Sequence, residues 1–367
     1  MNIRRTIGFL VFLLIAISCH DRSENKIEEG GFHVIATASS WDRITIESTA
    51  FGFLVKSDGD GNEISMIELD HNLNVTKKTT FQGAYDFIKL DSGYIVASGE
   101  LIKLNHSLDT VWSTPVPHYY DKIVSKGTSR IAAMYSDFKT YLDFFSLDGY
   151  LQVSRYLPGP DWDFHAYDII TSNDSNYFIC GSVGTYDSFT HKFYVLKTNA
   201  NGDSIWSFKY DKPNTRGDLY SIKEIPQGGL IAVGESFPWY GQHSEMFAVR
   251  LTVSGDSLWT IQLKSDSTDL VAKDVAVTSE GDFIGAGTSS YNQLMVARIG
   301  QNGSLLWKKL ISPTDSLKSI LGEDIKIVGQ SICRSGNNFA VLCLAWKNYT
   351  SASVVVVRID EDGNIIP

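Results

Sequence analysis

Along this chain apolar positions alternate with polar ones over short runs, and the runs come in fours. Residues 219–263 read LYSIKEIPQGGLIAVGESFPWYGQHSEMFAVRLTVSGDSLWTIQL. Four β-rich runs stand out: Leu219–Ile225, Leu230–Glu235, Met246–Thr252 and Ser257–Leu263. Gln227-Gly228-Gly229 separates the first pair, a longer polar and aromatic stretch the second, and Ser254-Gly255-Asp256 the third. Two-residue alternation bounded by glycine-bearing turns predicts strands joined as hairpins. No segment has a strong helical period. Ser316–Val328 comes nearest and reads as a loop with a single turn.

The unit repeats. NGDSIW ends at Trp206, SGDSLW at Trp259 and NGSLLW at Trp307. Asp86 to Gly99, Asp168 to Gly181, Ser221 to Gly234 and Asp274 to Gly287 are each 13 residues apart. Following the same register elsewhere adds Thr45, Asp121 and Ser331, so seven positions result, all Asp, Ser or Thr. A repeat of roughly 50 residues with four antiparallel strands is one blade of a propeller. The expectation is therefore an all-β, seven-bladed β-propeller spanning residues 32–367.

Three registers follow from this reading. Recurrence from blade to blade gives Asp86, Asp121, Asp168 and Asp274 a structural role, with a cation-binding ring as the alternative. Trp112, Trp206, Trp259 and Trp307 share one place in the fourth strand, from which an indole covers the neighbouring blade. Leu108 stands where that strand's glycine would be, and Val153 and Lys77 replace the indole in other blades. Glu68, Lys103, Lys197, Arg250, Arg298 and Arg358 share a place in the third strand. They read as long stems packed between blades with charged heads at an edge, or as partners of the blade Asp.

The chain reaches Pro367 just as the last blade needs its fourth strand. An unused apolar run, Phe32-His33-Val34-Ile35-Ala36-Thr37, precedes the first blade. The expectation is that this run fills the gap, closing the ring and leaving no open sheet edge there.

The amino-terminal end carries an address. Arg4 and Arg5 precede the apolar run Ile7–Ile17, which is shorter than the about 20 residues a membrane span needs and suits a signal-peptide core. Ala16-Ile17-Ser18-Cys19 follows and resembles the lipobox of bacterial lipoproteins, with Ala16 where an aliphatic residue is usual. The resemblance implies cleavage after Ser18 and lipidation of Cys19, hence a lipid (palmitate-type) membrane anchor. An ordinary secretory cleavage nearby or an uncleaved anchor is the alternative. Residues 19–31 are polar, charged and glycine-ended, which suits a flexible tether. His20 stands where a retention signal for the inner membrane would place aspartate, so the expected address is the outer membrane of a bacterial envelope.

Charge and cysteines narrow the functions. Without residues 1–18 the chain has 30 basic and 42 acidic side chains, a net of −12. Phosphate contacts need Lys and Arg, so nucleic acid is not an expected partner. Cys180, Cys333 and Cys343 all lie in apolar runs and read as buried thiols, or as a Cys333–Cys343 disulfide across one hairpin. The eight histidines are scattered, and no motif implies a metal or cofactor.

GGLIAVG, FAVRL and SGDSLW together resemble the bacterial β-propeller repeats of the pyrroloquinoline-quinone-like group. That group includes quinoprotein dehydrogenases, and also non-enzymatic lipoprotein scaffolds such as the propeller subunit of the outer-membrane β-barrel assembly machinery. The resemblance to the quinoproteins would imply a catalytic Asp, calcium ligands and usually an adjacent cysteine pair, and this sequence has no adjacent cysteines. The sialidase motif S-x-D-x-G-x-x-W also fails, because here glycine and tryptophan are four residues apart and the aspartate is missing. The expected function is a non-catalytic, monomeric protein-interaction scaffold at the envelope, with a glycan- or small-ligand-binding propeller as the alternative and a propeller enzyme as a third, less favoured one.

The loops between second and third strands and the links between blades emerge on one face. They carry Trp162, Tyr186, Phe189, Trp239, Tyr240, His243, Tyr291, Trp346 and Tyr349. Aromatic clusters rimmed by polar groups mark interaction surfaces, so these residues are the candidate binding face, with rings that pack on one another to stiffen the long loops as the alternative.

Overall fold

A computed structural model describes residues 28–29, 32–38, 44–58, 63–126, 130–137, 139–157, 159, 163–184, 191–211, 215–238, 243–290, 292–348 and 351–366. They form seven antiparallel sheets, each ordered first strand to fourth, arranged as a β-propeller. Blade one runs Thr45–Thr49, Gly52–Asp58, Glu63–Asp70 and Val75–Gln82. Blades two to six occupy residues 86–115, 122–157, 164–209, 215–263 and 270–311. Blade seven takes Lys326–Ser335, Asn338–Asn348 and Ser351–Ile359 from the end of the chain, and its fourth strand is Phe32–Ala38.

Phe32 pairs with Val357 and Ala38 with Ala352, so the amino-terminal strand closes the ring as the hydrophobic pattern requires. Ile365 makes a single bridge to Ile359, beginning the strand that Phe32–Ala38 continues. Glu28–Glu29 pairs outside it and makes this blade five-stranded.

The core is divided. Seven apolar clusters form, one between each pair of adjacent blades. The second strands Tyr177–Val183 and Phe283–Ser289 are buried at every position, which is why they read as continuous apolar runs. Fourth strands such as Ser204–Lys209 alternate between exposed and half-buried residues. The closing strand serves two clusters: Phe32 enters the one between blades six and seven, and Ile35 the one between blades seven and one. Cys180, Cys333 and Cys343 are free, buried thiols, and burial pushes Cys333 up to about 12.

All seven turns into the fourth-strand position share one geometry. In blade five, Thr252 N–H donates to Asp256 O at 2.9 Å and Gly255 N–H to Thr252 O at 3.1 Å. The third residue of each turn is left-handed, with φ from 64° at Leu73 to 90° at Gly255. A tryptophan accounts for the glycine in four of these turns, and in a fifth a Cβ on Gly202 would meet Arg155 Cγ at 2.8 Å and Phe144 Cε2 at 2.9 Å. Trp112, Trp206, Trp259 and Trp307 lie against Gly149, Gly255, Gly303 and Gly363 of the next blade, where a Cβ would come within 2.6–2.8 Å of the ring. Each indole Nε1 also donates to a carbonyl of that turn. Blades one and two follow blades without an indole, and there Leu73 and Leu108 take the left-handed position.

Two local expectations change. Asp315–Leu321 forms an α-helix capped by Thr314, whose side chain accepts from Leu317 N–H, and the last strand group begins at Lys326, inside the segment read as a loop. Two of the third-strand cations, Lys197 and Arg298, pair with turn carboxylates rather than with the blade Asp, and Arg250 Nη1 donates to Gln301 O at 2.7 Å. Lys197 Nζ lies 2.6 Å from Asp174, and Arg298 reaches Glu280, Asp282 and Glu361.

Candidate functional site

Around the axis the Asp and Ser register ties blades together. Asp86 accepts from Ile123 N–H of the next blade at 2.8 Å and from Lys56 Nζ of the preceding one at 3.0 Å. Asp168 accepts from Ile222 N–H at 3.0 Å and from Lys122 Nζ. Asp274 accepts from Ser221 Oγ at 2.6 Å, Ser331 Oγ at 2.7 Å and Ile332 N–H at 3.0 Å, with Lys223 Nζ at 3.4 Å. Ser331 Oγ accepts from Ile46 N–H at 3.3 Å and so joins blade seven to blade one. Asp121 differs, accepting from Ser136 N–H within its own blade.

Three of these carboxylates already hold a lysine ammonium. Burial alone lowers the Lys122 pKa, but the charge and hydrogen bond of Asp168 outweigh it and hold the ammonium above its usual value. Burial likewise raises Asp274, yet Lys223 and the donors from Ser221, Ile332 and Ser331 bring it below the usual range. The ring therefore acts as an inter-blade latch that carries its own cations. Among the described residues no group of three or more His, Cys, Asp or Glu is arranged to hold a metal.

Blades four to seven add a bulge to the first strand immediately before the register residue. The bulged residues include Tyr167, Tyr220 and Lys273, left out of the ladder on the strand nearest the axis. Tyr167 is 43% exposed between buried Ala166 and Asp168. Tyr167 and Tyr220 meet edge to face at 5.3 Å, and Tyr220 hydroxyl donates to Glu235 Oε1. Sequence reasoning missed these positions. The signal present was an aromatic or basic residue directly before a register Asp or Ser.

A second aromatic group lies on the loop face of blades two and three. His118 stacks on both Tyr135 at 5.0 Å and Tyr141 at 5.1 Å, which lie 6.3 Å apart as cross-strand partners, and Tyr141 continues to Tyr156 at 5.6 Å. Tyr119 packs on Tyr85 at 5.3 Å. Tyr119 is 59% and Tyr156 42% exposed. Beneath them Tyr120 is buried and donates to Asp143 Oδ2, which together with burial raises the phenol's pKa. The cause of this open shelf is local. Blade two turns from second to third strand through Ser98-Gly99 alone, and Tyr119 rests 3.7 Å from where a Gly99 Cβ would stand. The HYYD run at 118–121 and the very short turn were both visible in the sequence.

The residues first expected on this face divide differently. Trp162, Tyr186, Phe189, Trp239, Tyr240, Tyr291 and Tyr349 lie outside the described residues. His243 is partly exposed, with Nδ1 3.4 Å from Asp269 Oδ1. Trp346 is corrected: it lies within the second strand of blade seven, 3% exposed, packed in the cluster between blades seven and one. An apolar strand face, and no loop, sets its environment. The four repeat tryptophans are only partly buried, each lying over a glycine of the next blade.

Neither a known protein family nor a curated protein matches the sequence. Solved structures share the fold at low identity. BamB from Moraxella catarrhalis matches at 8% identity and TM-score 0.50, covering 88% of this chain and 99% of that one. A chain of the mitotic checkpoint complex matches at 10% identity and TM-score 0.58, covering 97% and 99%. A protein of unknown function from Bacteroides caccae matches at 11% identity and TM-score 0.42, covering 74% and 90%. The first two likenesses are to the propeller fold alone. Among the described residues no helix is long and apolar enough to cross a membrane.

Proposed function

We propose that this chain is a lipid-anchored envelope propeller that acts as a non-catalytic scaffold, docking a protein partner on the loop face of blades two and three. The carrying observation is the shelf of Tyr85, His118, Tyr119, Tyr135, Tyr141 and Tyr156, whose rings are held by mutual stacking on a rigid disc. Rings already ordered lose little side-chain entropy on binding, and tyrosine is enriched at binding hot spots. The likeness to a chain of the mitotic checkpoint complex supports the use of such a disc in a multiprotein assembly. The Ala16-Ile17-Ser18-Cys19 series supports the anchor.

Two measurements test the reading. Intact mass of membrane-extracted protein is expected to lack residues 1–18 and to carry acyl chains on Cys19; an unmodified chain with another start overturns the anchor. Co-purification from envelope extract with and without the exposed shelf tyrosines tests the docking face.

A further inference from the structure

The bulged first strands assemble a second group, separate from the shelf. Tyr167 and Tyr220 stand at 76° to one another, and Lys273 Nζ lies 3.9 Å from the Tyr220 ring centroid. Behind the rings, Asp218 and Glu235 face each other across adjacent strands and are 6% and 4% exposed. Glu235 holds the Tyr220 hydroxyl. Asp218 Oδ1 is buried without a hydrogen-bond donor, and the nearest base is His191 Nδ1 at 3.5 Å. Asp269 adds a third carboxylate whose field reaches Glu235. Asp269 is itself held by Ser244 N–H at 2.7 Å, with His243 Nδ1 at 3.4 Å, which leaves Asp218 and Glu235 as the carboxylates of the group.

Aromatic faces with buried carboxylates behind them are the chemistry that recognises an organic cation. The ring quadrupole attracts the charge, and the carboxylates accept its N–H donors. Lys273 demonstrates the fit, because an ammonium already rests on the Tyr220 face. Asp218 Oδ1, 3.5 Å from His191 Nδ1, takes no hydrogen bond and so has a lone pair for a further N–H donor. A ring of bulges is not needed to build the propeller, since blades one to three close without one.

We infer that Tyr167, Tyr220, Asp218 and Glu235 form a binding site for a primary ammonium or guanidinium group, with the Lys273 ammonium as its built-in competitor. The cation is either a free amine or the lysine or arginine side chain of a partner. The inference stands apart from the proposed docking shelf, since it uses different residues and a different probe.

Calorimetric titration of the full chain in detergent tests it. The probes are n-butylamine, n-propylguanidine, a Gly/Ser peptide with one lysine, the same peptide with that lysine acetylated, and butyrate. Saturable binding of the small amines identifies a free-amine site, and binding of the lysine peptide alone identifies a partner's side chain; each supports the inference. Lys273→Met is expected to tighten binding about tenfold by removing the competitor, and Glu235→Gln to weaken it about tenfold. Glu235→Gln keeps an acceptor for Tyr220, and an unchanged melting temperature shows that it folds. No saturable cation binding by wild type and by Lys273→Met, equal affinity in Glu235→Gln, or equal binding of butyrate or the acetylated peptide overturns the site.

Discussion

Trp259 of blade five donates from Nε1 to Gln301 O of blade six at 2.8 Å, and its ring fills the space above Gly303. Glycine and tryptophan of the repeated G-x-x-x-W motif therefore serve different interfaces. Gly255, Gly303 and Gly363 each receive the tryptophan of the blade before, whereas Gly202, which follows the Val153 blade, lies against Arg155 and Phe144. Gly303→Ala must adopt φ near 82° and push a Cβ to 2.8 Å from the Trp259 ring. A loss of about 2–3 kcal/mol is expected from the left-handed conformation and the clash together. Trp259→Ala alone is expected to cost about 2–3 kcal/mol, at or below the low end for tryptophan because the ring is only partly buried. Urea denaturation of the double variant is expected to show coupling. Strict additivity would contradict a shared contact.

The pattern along the chain carried the architecture further than it carried the site. Alternation and the 13-residue spacing implied seven blades, because strand pairing recurs with the turns that bound it. The closing strand was legible for the same reason: an apolar run at 32–37 had no partner in its own neighbourhood. The Asp register pointed to a structural role, but its partners come from blades on either side, as with Ser221 and Ser331 on Asp274. Such long-range pairs leave no local periodicity. Trp346 misled because tryptophan beside a loop reads as exposed, whereas a strand longer than expected carries it into the core. The packing of His118 on the Tyr135 and Tyr141 pair joins a link to two strands, and only the short turn of blade two hinted that it would be open.

Asp274→Ala is expected to leave Ser221 Oγ, Ser331 Oγ and Ile332 N–H without their acceptor and so to uncouple blades five, six and seven. A loss of about 3 kcal/mol follows for a buried charged acceptor with several donors. The Asp274 pKa is lowered in the folded protein from 3.8. Its stabilisation is therefore present above the unfolded value and is lost as pH falls through the folded one. The gap between wild type and variant should be constant near neutrality and narrow only in acid. A gap that widens as pH falls would show that the carboxylate is not the latch.

Removing residues 20–40 deletes the strand that places Phe32 in one inter-blade cluster and Ile35 in the next. The ring then opens along blade seven, so the melting temperature is expected to fall by more than about 10 °C. Thermal unfolding followed by far-ultraviolet circular dichroism checks this. An unchanged midpoint would mean that the blade closes without its amino-terminal strand.

The central claim is that the aromatic shelf of blades two and three is a docking face. Tyr119→Ser and Tyr156→Ser made together remove its two exposed rings while leaving His118, Tyr135 and Tyr141 stacked. Val253→Ser with Leu258→Ser removes two exposed apolar residues near a turn on the opposite face and serves as the control. The most direct measurement is quantitative co-purification from envelope extract for wild type and both double variants, with melting temperatures taken alongside. The account predicts that a defined partner is lost from the shelf variant alone, at unchanged melting temperature. Retention of every partner by the shelf variant, or equal loss from the control, contradicts it.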